Sequence, residues 1–202
     1  CRTAIVAHGS EADDRMRWTG RLSYLSARVV IANSELTRRR LLARAPSVRC
    51  EVCHLGLSPD IALRPPARVA PNEKLELTSV DGRSRAIGDR MLLLVARIDA
   101  GEMEKGHREV IRALPQLRAK FPGVQVVFPG PGKGRSQLEQ LAIELGVADS
   151  VFFPGFVTGE LLEQLYSMCY SFVMPSKQEG FGLVYLEAMN FSKSCLGCRD
   201  DG

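Results

Sequence analysis

The sequence predicts an α/β fold built from two doubly wound parallel sheets, on two observations. Eight short runs are continuously apolar and rich in β-branched residues, which is typical of strands buried on both faces. These runs are 3–7, 28–32, 48–54, 91–98, 124–128, 150–153, 171–174 and 195–198. Helical stretches lie between several of them, at 35–43, 107–121 and 136–145. Strand–helix alternation of this kind gives parallel sheets with helices on both faces.

Local signals justify these three helices. Ser34 precedes the first helix and Ser136 opens the third. A serine hydroxyl at a helix start accepts a hydrogen bond from one of the unpaired backbone amides. In the helix at 107–121, apolar residues recur every three or four positions from Val110 to Leu117. That spacing predicts one buried helix face.

The chain divides into three parts by composition. Residues 1–57 and 91–202 show the strand–helix alternation, whereas 58–90 are rich in Pro, Arg and polar residues and have no clear period. We interpret 58–90 as a connection between two domains or as a mobile loop. The chain opens with Cys-Arg-Thr rather than Met, so we expect it to be cut from a longer sequence.

Composition excludes several classes of protein. Of the 202 residues, 45% are apolar and 25% are charged, which excludes disordered and collagen-like chains. The longest unbroken apolar run, 91–96, is too short to cross a bilayer. Six cysteines are far fewer than a disulfide scaffold of this length needs, so we expect a reducing, cytoplasmic location.

Charge is unevenly distributed along the chain. Residues 1–90 carry 16 basic and 10 acidic side chains, a net +6, whereas residues 91–202 carry 11 and 13, a net −2. We expect the basic half to face an anionic lipid surface or a phosphorylated acceptor. Nucleic acid is not expected, because the arginines have no interleaved aromatic residues. The arginines at 38, 39, 40 and 44 share one helix, either as a solvated face or as a peripheral contact with an anionic membrane.

The segment from Pro175 to Met189 carries the strongest functional pattern. A buried strand ends at Pro175, a glycine-containing turn follows, and a helix begins near Gly182. The free amides of such a helix start form an anion site, and glycines let a phosphate approach the backbone. Glu179 in the turn could accept hydrogen bonds from sugar hydroxyls, and Glu187 in the helix could accept two from the vicinal hydroxyls of a ribose. The alternative is a glycine-rich helix start with one exposed glutamate.

A second pattern combines two cations with the start of a helix. A strand brings Arg97 to its carboxyl end, and Lys105 precedes the helix at 107–121. Two cations beside free amides suit a diphosphate and would stabilise it as a leaving group. The alternative is a solvated loop, in which the cations pair with Asp99 or with neighbouring glutamates.

Together these motifs resemble glycosyltransferase family four, the retaining nucleotide-sugar glycosyltransferases of the GT-B fold. The resemblance rests on Arg97 with Lys105-Gly106, on Gly155-Phe156-Val157, and on the Glu-x7-Glu signature that ends at Glu187. Upstream, the similarity to the back half of the acceptor-side domain rests on His8-Gly9-Ser10-Glu11, on 28–34 and on 52–56. The resemblance implies a GT-B chain in which residues 1–57 belong to the acceptor domain and 91–202 to the donor domain, both incomplete.

The resemblance also implies a role for each matching residue. Arg97 and Lys105 would hold the donor diphosphate, beside the backbone of Gly180, Phe181, Gly182 and Leu183. Glu187 would bind the ribose, Glu179 the donor sugar, main chain at Phe156 and Val157 the base, and His8 would face the sugar and the acceptor. The implied reaction transfers a sugar from a nucleoside-diphosphate sugar to a glycan or lipid-linked acceptor. No metal or other cofactor is implied, because basic side chains and amides hold the diphosphate.

The sequence departs from the family pattern at three positions. Ser192 and Ser194 stand where the family usually has Gly and Pro, so we expect a less constrained turn before the last strand. Pro131 stands where an acidic residue is common.

Two other interpretations stay open. The chain could bind the donor nucleotide without turnover, or it could be a different Rossmann-type enzyme, such as a nicotinamide-dependent enzyme or a nucleotide-sugar epimerase. The loop from Gly130 to Gly134 hints at a dinucleotide fingerprint, but Arg135 occupies the place of its third glycine. The pairs Cys50/Cys53 and Cys195/Cys198 have the spacing of zinc half-sites. Because they lie in strand-like runs, we expect buried structural thiols, and we interpret His54 and His107 as structural too.

Overall fold

A computed structural model describes residues 3–9, 18–59, 75–99, 105–157, 159–177 and 179–199. They form two units. The first holds the described residues up to Leu57 together with 179–183 and Arg199, and the second holds the others. Both units carry parallel sheets with helices between the strands, which confirms the predicted α/β class.

The first unit contains a three-stranded parallel sheet. Its elements are β1 (Ala4–Ala7), α1 (Trp18–Ser26), β2 (Val29–Ala32), α2 (Glu35–Arg44) and β3 (Cys50–Val52). The strands follow the order β1-β2-β3, and a small core that includes Val30 and Leu41 covers the sheet. The predicted cap of α2 is confirmed, because Ser34 Oγ accepts a hydrogen bond from the Thr37 amide at 3.1 Å. The helix α1 was not predicted, because the glycine and serines within it are weak helix formers.

The second unit contains a five-stranded parallel sheet and a hairpin. Its elements are β4 (Glu76–Thr78), β5 (Ser84–Ala86), β6 (Met91–Leu93), α3 (His107–Lys120), β7 (Gln125–Pro129), α4 (Arg135–Glu144), a 3₁₀ turn (Ala148–Ser150), β8 (Val151–Gly155), α5 (Gly159–Met168), β9 (Ser171–Met174), α6 (Leu183–Asn190) and β10 (Ser194–Gly197). The sheet order is β10-β9-β6-β7-β8. The order reverses between β6 and β9, and in doubly wound sheets ligands bind beyond the carboxyl ends of the strands at such a point.

The described part of the segment 58–90 has regular structure. Residues 76–86 form an antiparallel hairpin, and the Val80 amide just after β4 donates to Val151 O of β8 at 2.9 Å. The interpretation of 58–90 as a connection between domains or a mobile loop stays a prediction. The signal for the hairpin is the dipeptide Asp81-Gly82, in which Gly82 takes a positive φ of 82°.

Two local predictions are wrong. Ser136 does not cap α4, because the helix begins one residue earlier and Gly134 is its cap residue. Cys53 and Cys198 are exposed rather than buried, because β3 and β10 end before them. Among the described residues, no helix is long and apolar enough to span a membrane.

The turn after α6 is better defined than its sequence predicts. The Ser192 amide donates to Met189 O at 2.8 Å, and the Lys193 amide donates to Ala188 O at 3.1 Å. These two bonds satisfy carbonyl groups at the end of the helix. Ser192 takes a φ of 57°, the left-handed conformation that favours glycine. The position that is usually glycine in the family therefore keeps a glycine-like backbone with a serine in it.

We expect Ser192→Gly to raise the free energy of unfolding by about 1 kcal/mol, because it removes the cost of a Cβ in the left-handed region. Urea unfolding followed by circular dichroism measures the change. Ser194→Gly is the matched control, since Ser194 lies in extended strand β10 and should gain nothing. An equal gain in both variants would contradict this explanation.

Candidate functional site

The backbone after β6 stays extended and carries Arg97 to the carboxyl edge of the sheet. The Ile98 amide donates to Pro131 O at 2.9 Å, and the Gly134 amide donates to Ile98 O at 2.8 Å. Gly132 lies so close to this segment that a Cβ there would overlap the Ile98 carbonyl. Backbone packing around Arg97 therefore explains the glycine spacing of the loop from Gly130 to Gly134. No dinucleotide-binding role is needed to account for these glycines.

The Arg97 side chain is 71% exposed and its Nη1 lies 3.6 Å from Asp99 Oδ2. An ion pair this long and this exposed contributes little stability. The pairing with Asp99 that the sequence left open therefore exists, but it does not fix the guanidinium strongly.

A close backbone contact joins the start of α3 to the end of β9. Gly106 has a φ of 90°, and a Cβ on it would lie 2.7 Å from Pro175 O and 2.6 Å from Pro175 Cγ. Only glycine allows this approach. Lys105, which is half-buried, is thereby held beside the exit of β9. Lys177 lies just after the end of β9, and its Nζ is 3.8 Å from Oε1 of Glu109 in α3.

His107, the first residue of α3, lies in the core. It is 1% exposed, and its ring packs 5.2 Å from the ring of Phe128 in β7. Its Nε2 is buried and has no hydrogen-bond partner among the residues that the structure describes. Burial, and secondly the charge of Lys105, lower the pKa of His107 to about 4, so the imidazole is neutral near pH 7.

Glu187 lies half-buried in α6 and has a specific partner. Its Oε2 accepts a hydrogen bond from Tyr166 Oη at 2.8 Å. Tyr166 was not predicted as a site residue, because the sequence does not distinguish one tyrosine in an amphipathic helix from other core aromatic residues.

The end of β8 places the predicted base contact at the same edge of the sheet. Gly155 has a φ of 76° and turns the chain outward. Its carbonyl accepts from the Gly130 amide at 2.8 Å. Phe156 follows and is 83% exposed, and Val157 is half-buried.

In the first unit, His8 follows β1, and the segment 179–183 lies against it. Asn33 Nδ2 donates to His8 O at 3.1 Å, and a Cβ on Gly180 would overlap that same carbonyl. Gly9, with a φ of 110°, lies against Gly180 as well. Gly180 is therefore required for backbone packing in addition to its predicted role beside a phosphate. Asn33 was not predicted, and its only sequence signal is a polar residue directly after a buried strand.

The side chains of the segment 179–183 contact their own surroundings. The Gly180 amide donates to Glu179 Oε1 at 3.3 Å, so the carboxylate turns toward an amide that was predicted to bind phosphate. The Phe181 ring lies 5.9 Å from the ring of His54. Gly182, with a φ of 80°, leads into α6, whose first residue Leu183 is exposed.

The predicted residues fall into two sets. The carboxyl edge of the second unit's sheet carries Arg97, Lys105, Phe156 and Val157. Glu187 lies in the helix that follows β9. His8 and the segment 179–183 belong to the first unit. Among the described residues, no three His, Cys, Asp or Glu side chains cluster as metal ligands would.

Comparisons with known proteins agree with this architecture. Residues 84–202 match the family described as Glycosyl transferases group 1. The chain is 32% identical to the GDP-mannose-dependent alpha-(1-6)-phosphatidylinositol monomannoside mannosyltransferase of Mycolicibacterium smegmatis. The alignment covers 100% of this chain and 48% of that protein. The chain is also 39% identical to the uncharacterized glycosyltransferase MJ1607 of Methanocaldococcus jannaschii, in an alignment that covers 52% of this chain and 27% of that protein.

Among solved structures, the chain resembles the crystal structure of Anabaena Alr3699/HepE in complex with UDP and glucose. The TM-score is 0.73 at 21% sequence identity, over 98% of this chain and 53% of that one. The chain therefore spans about half the length, or less, of the relatives it matches.

Proposed function

Since this chain belongs to the glycosyl transferases group 1 family and has the GT-B fold, we propose that it acts as a retaining glycosyltransferase. It moves a sugar from a nucleoside-diphosphate sugar to a glycan or lipid-linked acceptor, in polysaccharide or glycoconjugate assembly. The observation that carries the proposal is the cationic carboxyl edge of the second sheet. Arg97 follows β6 there, and Gly106 holds Lys105 beside the end of β9. Two cations at a topological switch point suit a diphosphate.

The proposed reaction needs charge stabilisation at the leaving group more than it needs a protein nucleophile. The bond between the anomeric carbon and the β-phosphate oxygen breaks, and a bond to the acceptor oxygen forms on the same face of the sugar. The acceptor proton passes to the departing diphosphate. Arg97 and Lys105 stabilise the charge that develops there, and each charge-assisted hydrogen bond contributes about 1.5–3 kcal/mol. In this proposal no metal ion takes part.

We propose GDP as the nucleotide, because the mannosyltransferase that matches the whole chain is GDP-mannose-dependent. Main chain at Phe156 and Val157 contacts the base, and Glu187 binds the ribose. Glu179 binds the donor sugar, and His8 faces the sugar and the acceptor. The second candidate is a donor-binding module, which holds the nucleotide sugar without transferring it.

Calorimetric titration with GDP, UDP and ADP, each with and without magnesium, tests the donor site. We expect saturable, magnesium-independent binding of GDP. Lys105→Ala should weaken it about ten-fold or more, because a charge-assisted contact to phosphate is lost. Lys120→Ala is the matched control, since Lys120 is an exposed lysine at the other end of α3.

Equal losses in the two lysine variants would contradict the site. A magnesium requirement would contradict the metal-free proposal, and preferred binding of UDP would change the assigned base. Incubation with GDP-mannose and a lipid acceptor then separates the two candidates. Product with a retained anomeric configuration supports transfer, whereas binding without product supports the donor-binding module.

Peripheral contact with an anionic membrane is a further part of the proposal. Arg39 is exposed on α2, whereas Arg38 is bound to Glu35 at 2.9 Å and to Cys50 O. Co-sedimentation with liposomes should increase with anionic lipid and decrease with salt. Equal binding to neutral vesicles would contradict it.

A further inference from the structure

We infer that Tyr166 is a positioning residue, which holds the carboxylate of Glu187 in the orientation that binds the vicinal hydroxyls of a ribose. The inference rests on the proposed function, in which Glu187 binds the donor ribose. It concerns two neighbouring helices of the second unit, α5 and α6.

The hydrogen bond between the two residues has a fixed direction. Tyr166 is 2% exposed, and burial, followed by the charge of Glu187, raises the pKa of its hydroxyl. The phenol is therefore protonated near pH 7. It donates to Glu187 Oε2 at 2.8 Å, so the carboxylate is the acceptor.

The tyrosine ring is held on two sides, so its hydroxyl is a rigid reference point. The ring stacks on Phe191 with a centroid distance of 5.5 Å and an interplanar angle of 18°. It also packs 6.1 Å from the ring of Phe172 in β9. Because the hydroxyl cannot follow a moving carboxylate, the Glu187 side chain is restricted to the rotamer that meets it.

The geometry leaves acceptor capacity on Glu187 for a ligand. A carboxylate offers about four acceptor positions, and Tyr166 uses one of them, on Oε2. Within the described part of the chain, no residue donates a hydrogen bond to Oε1. A half-buried carboxylate fixed through one oxygen can accept two adjacent hydroxyls without first losing side-chain freedom, which favours binding.

The consequence is selective for one part of the ligand. Tyr166 is predicted to act only through Glu187, and Glu187 only on the ribose diol. A change at Tyr166 should therefore lower the affinity for nucleotides that have the diol. The affinity for nucleotides without the diol should stay unchanged. A general loss of folding would weaken both.

The test uses Tyr166→Phe in the whole chain, which removes the hydroxyl and keeps the ring. Calorimetry compares the nucleoside diphosphate that binds most tightly among GDP, UDP and ADP with its 2′,3′-dideoxy form. We expect about a ten-fold loss of affinity for the ribonucleotide, which is typical of one lost hydrogen bond to a charged group. The dideoxy form should bind the variant and the wild type equally.

Three control variants make the result specific. Tyr170→Phe makes the same change at a tyrosine that is 69% exposed next to the amino end of β9, and it should change neither affinity. Glu187→Gln should abolish most of the discrimination between the two nucleotides. Adding Tyr166→Phe to Glu187→Gln should cause little further loss, because residues that act as one unit are not additive.

The failure of this inference is distinguishable from the failure of the proposed function. If the wild type prefers the ribonucleotide and Tyr166→Phe keeps that preference, Tyr166 is not a positioning residue. If Tyr166→Phe weakens both nucleotides equally, its role is structural. If the wild type does not distinguish the two forms, Glu187 does not bind the ribose, and both the assigned role and the inference are overturned.

Discussion

Gly106→Ala is expected to destabilise the second unit by about 3 kcal/mol and to weaken nucleotide binding. Two costs combine at this position. Alanine at a φ of 90° costs about 1–2 kcal/mol. In addition, its Cβ would lie 2.7 Å from Pro175 O, and relieving that overlap must move the start of α3 away from the end of β9. The movement displaces Lys105, so affinity for the diphosphate should fall together with stability.

Gly123→Ala separates the two costs. Gly123 follows α3 with a φ of 83°, and among the described residues none beyond its two chain neighbours lies within 4 Å of where its Cβ would be. This control should lose only the conformational part, about 1–2 kcal/mol, and should keep the affinity for nucleotide. Urea unfolding and calorimetry measure both quantities. Equal effects of the two substitutions would show that the approach to Pro175 does not matter.

Acid is expected to destabilise the folded chain through His107 before most carboxylates titrate. The pKa of His107 is lowered to about 4 in the folded state, whereas an unfolded histidine titrates near 6.5. Between these pH values the unfolded chain binds a proton that the folded chain does not bind. Stability therefore falls as the pH drops from 7 toward 4, and at 1.36 kcal/mol per pKa unit the loss approaches about 3 kcal/mol.

His107→Leu isolates this effect. The difference in unfolding free energy between pH 7 and pH 4.5 should be smaller in the variant than in the wild type by about 2–3 kcal/mol. At pH 7 the variant should be at least as stable as the wild type, because it removes a buried Nε2 for which the described part of the chain offers no hydrogen-bond partner. His54→Leu changes an exposed histidine and should leave the pH dependence unaltered. Identical pH profiles for wild type and His107→Leu would exclude His107 as the cause.

The positions of strands were predictable because burial on both faces leaves continuous apolar runs. Seven of the eight predicted runs differ from the observed strands by at most a few residues at each end. The run 91–98 begins with β6, and its remainder stays extended and paired with the loop after β7. The hairpin of β4 and β5 and the helices α1 and α5 were missed. The Asp81-Gly82 turn signal was present, but neither flanking strand shows a clear apolar alternation.

The candidate site was predictable to the extent that its residues stand at strand ends. Arg97 and Phe156 were singled out by their places after apolar runs, and Lys105 by its place before a helix. Because the strands are parallel, their carboxyl ends share one edge of the sheet. Tyr166 and Asn33 were not predictable, because each acts through a hydrogen bond to a residue more than 20 positions away. Such pairs become visible only when helices and strands pack.

By itself, the sequence determined the α/β class, the cationic and glycine-rich segments, and the family to which they belong. These properties are local, since a strand, a cap or a motif depends on residues a few positions apart. Tertiary structure alone decided why Gly106, Gly132 and Gly180 are glycines, namely that backbones from distant segments touch there. It also decided that His107 is a neutral core residue and that Glu187 is held by Tyr166. Burial, close approach and partner choice depend on contacts that the chain makes only after it folds.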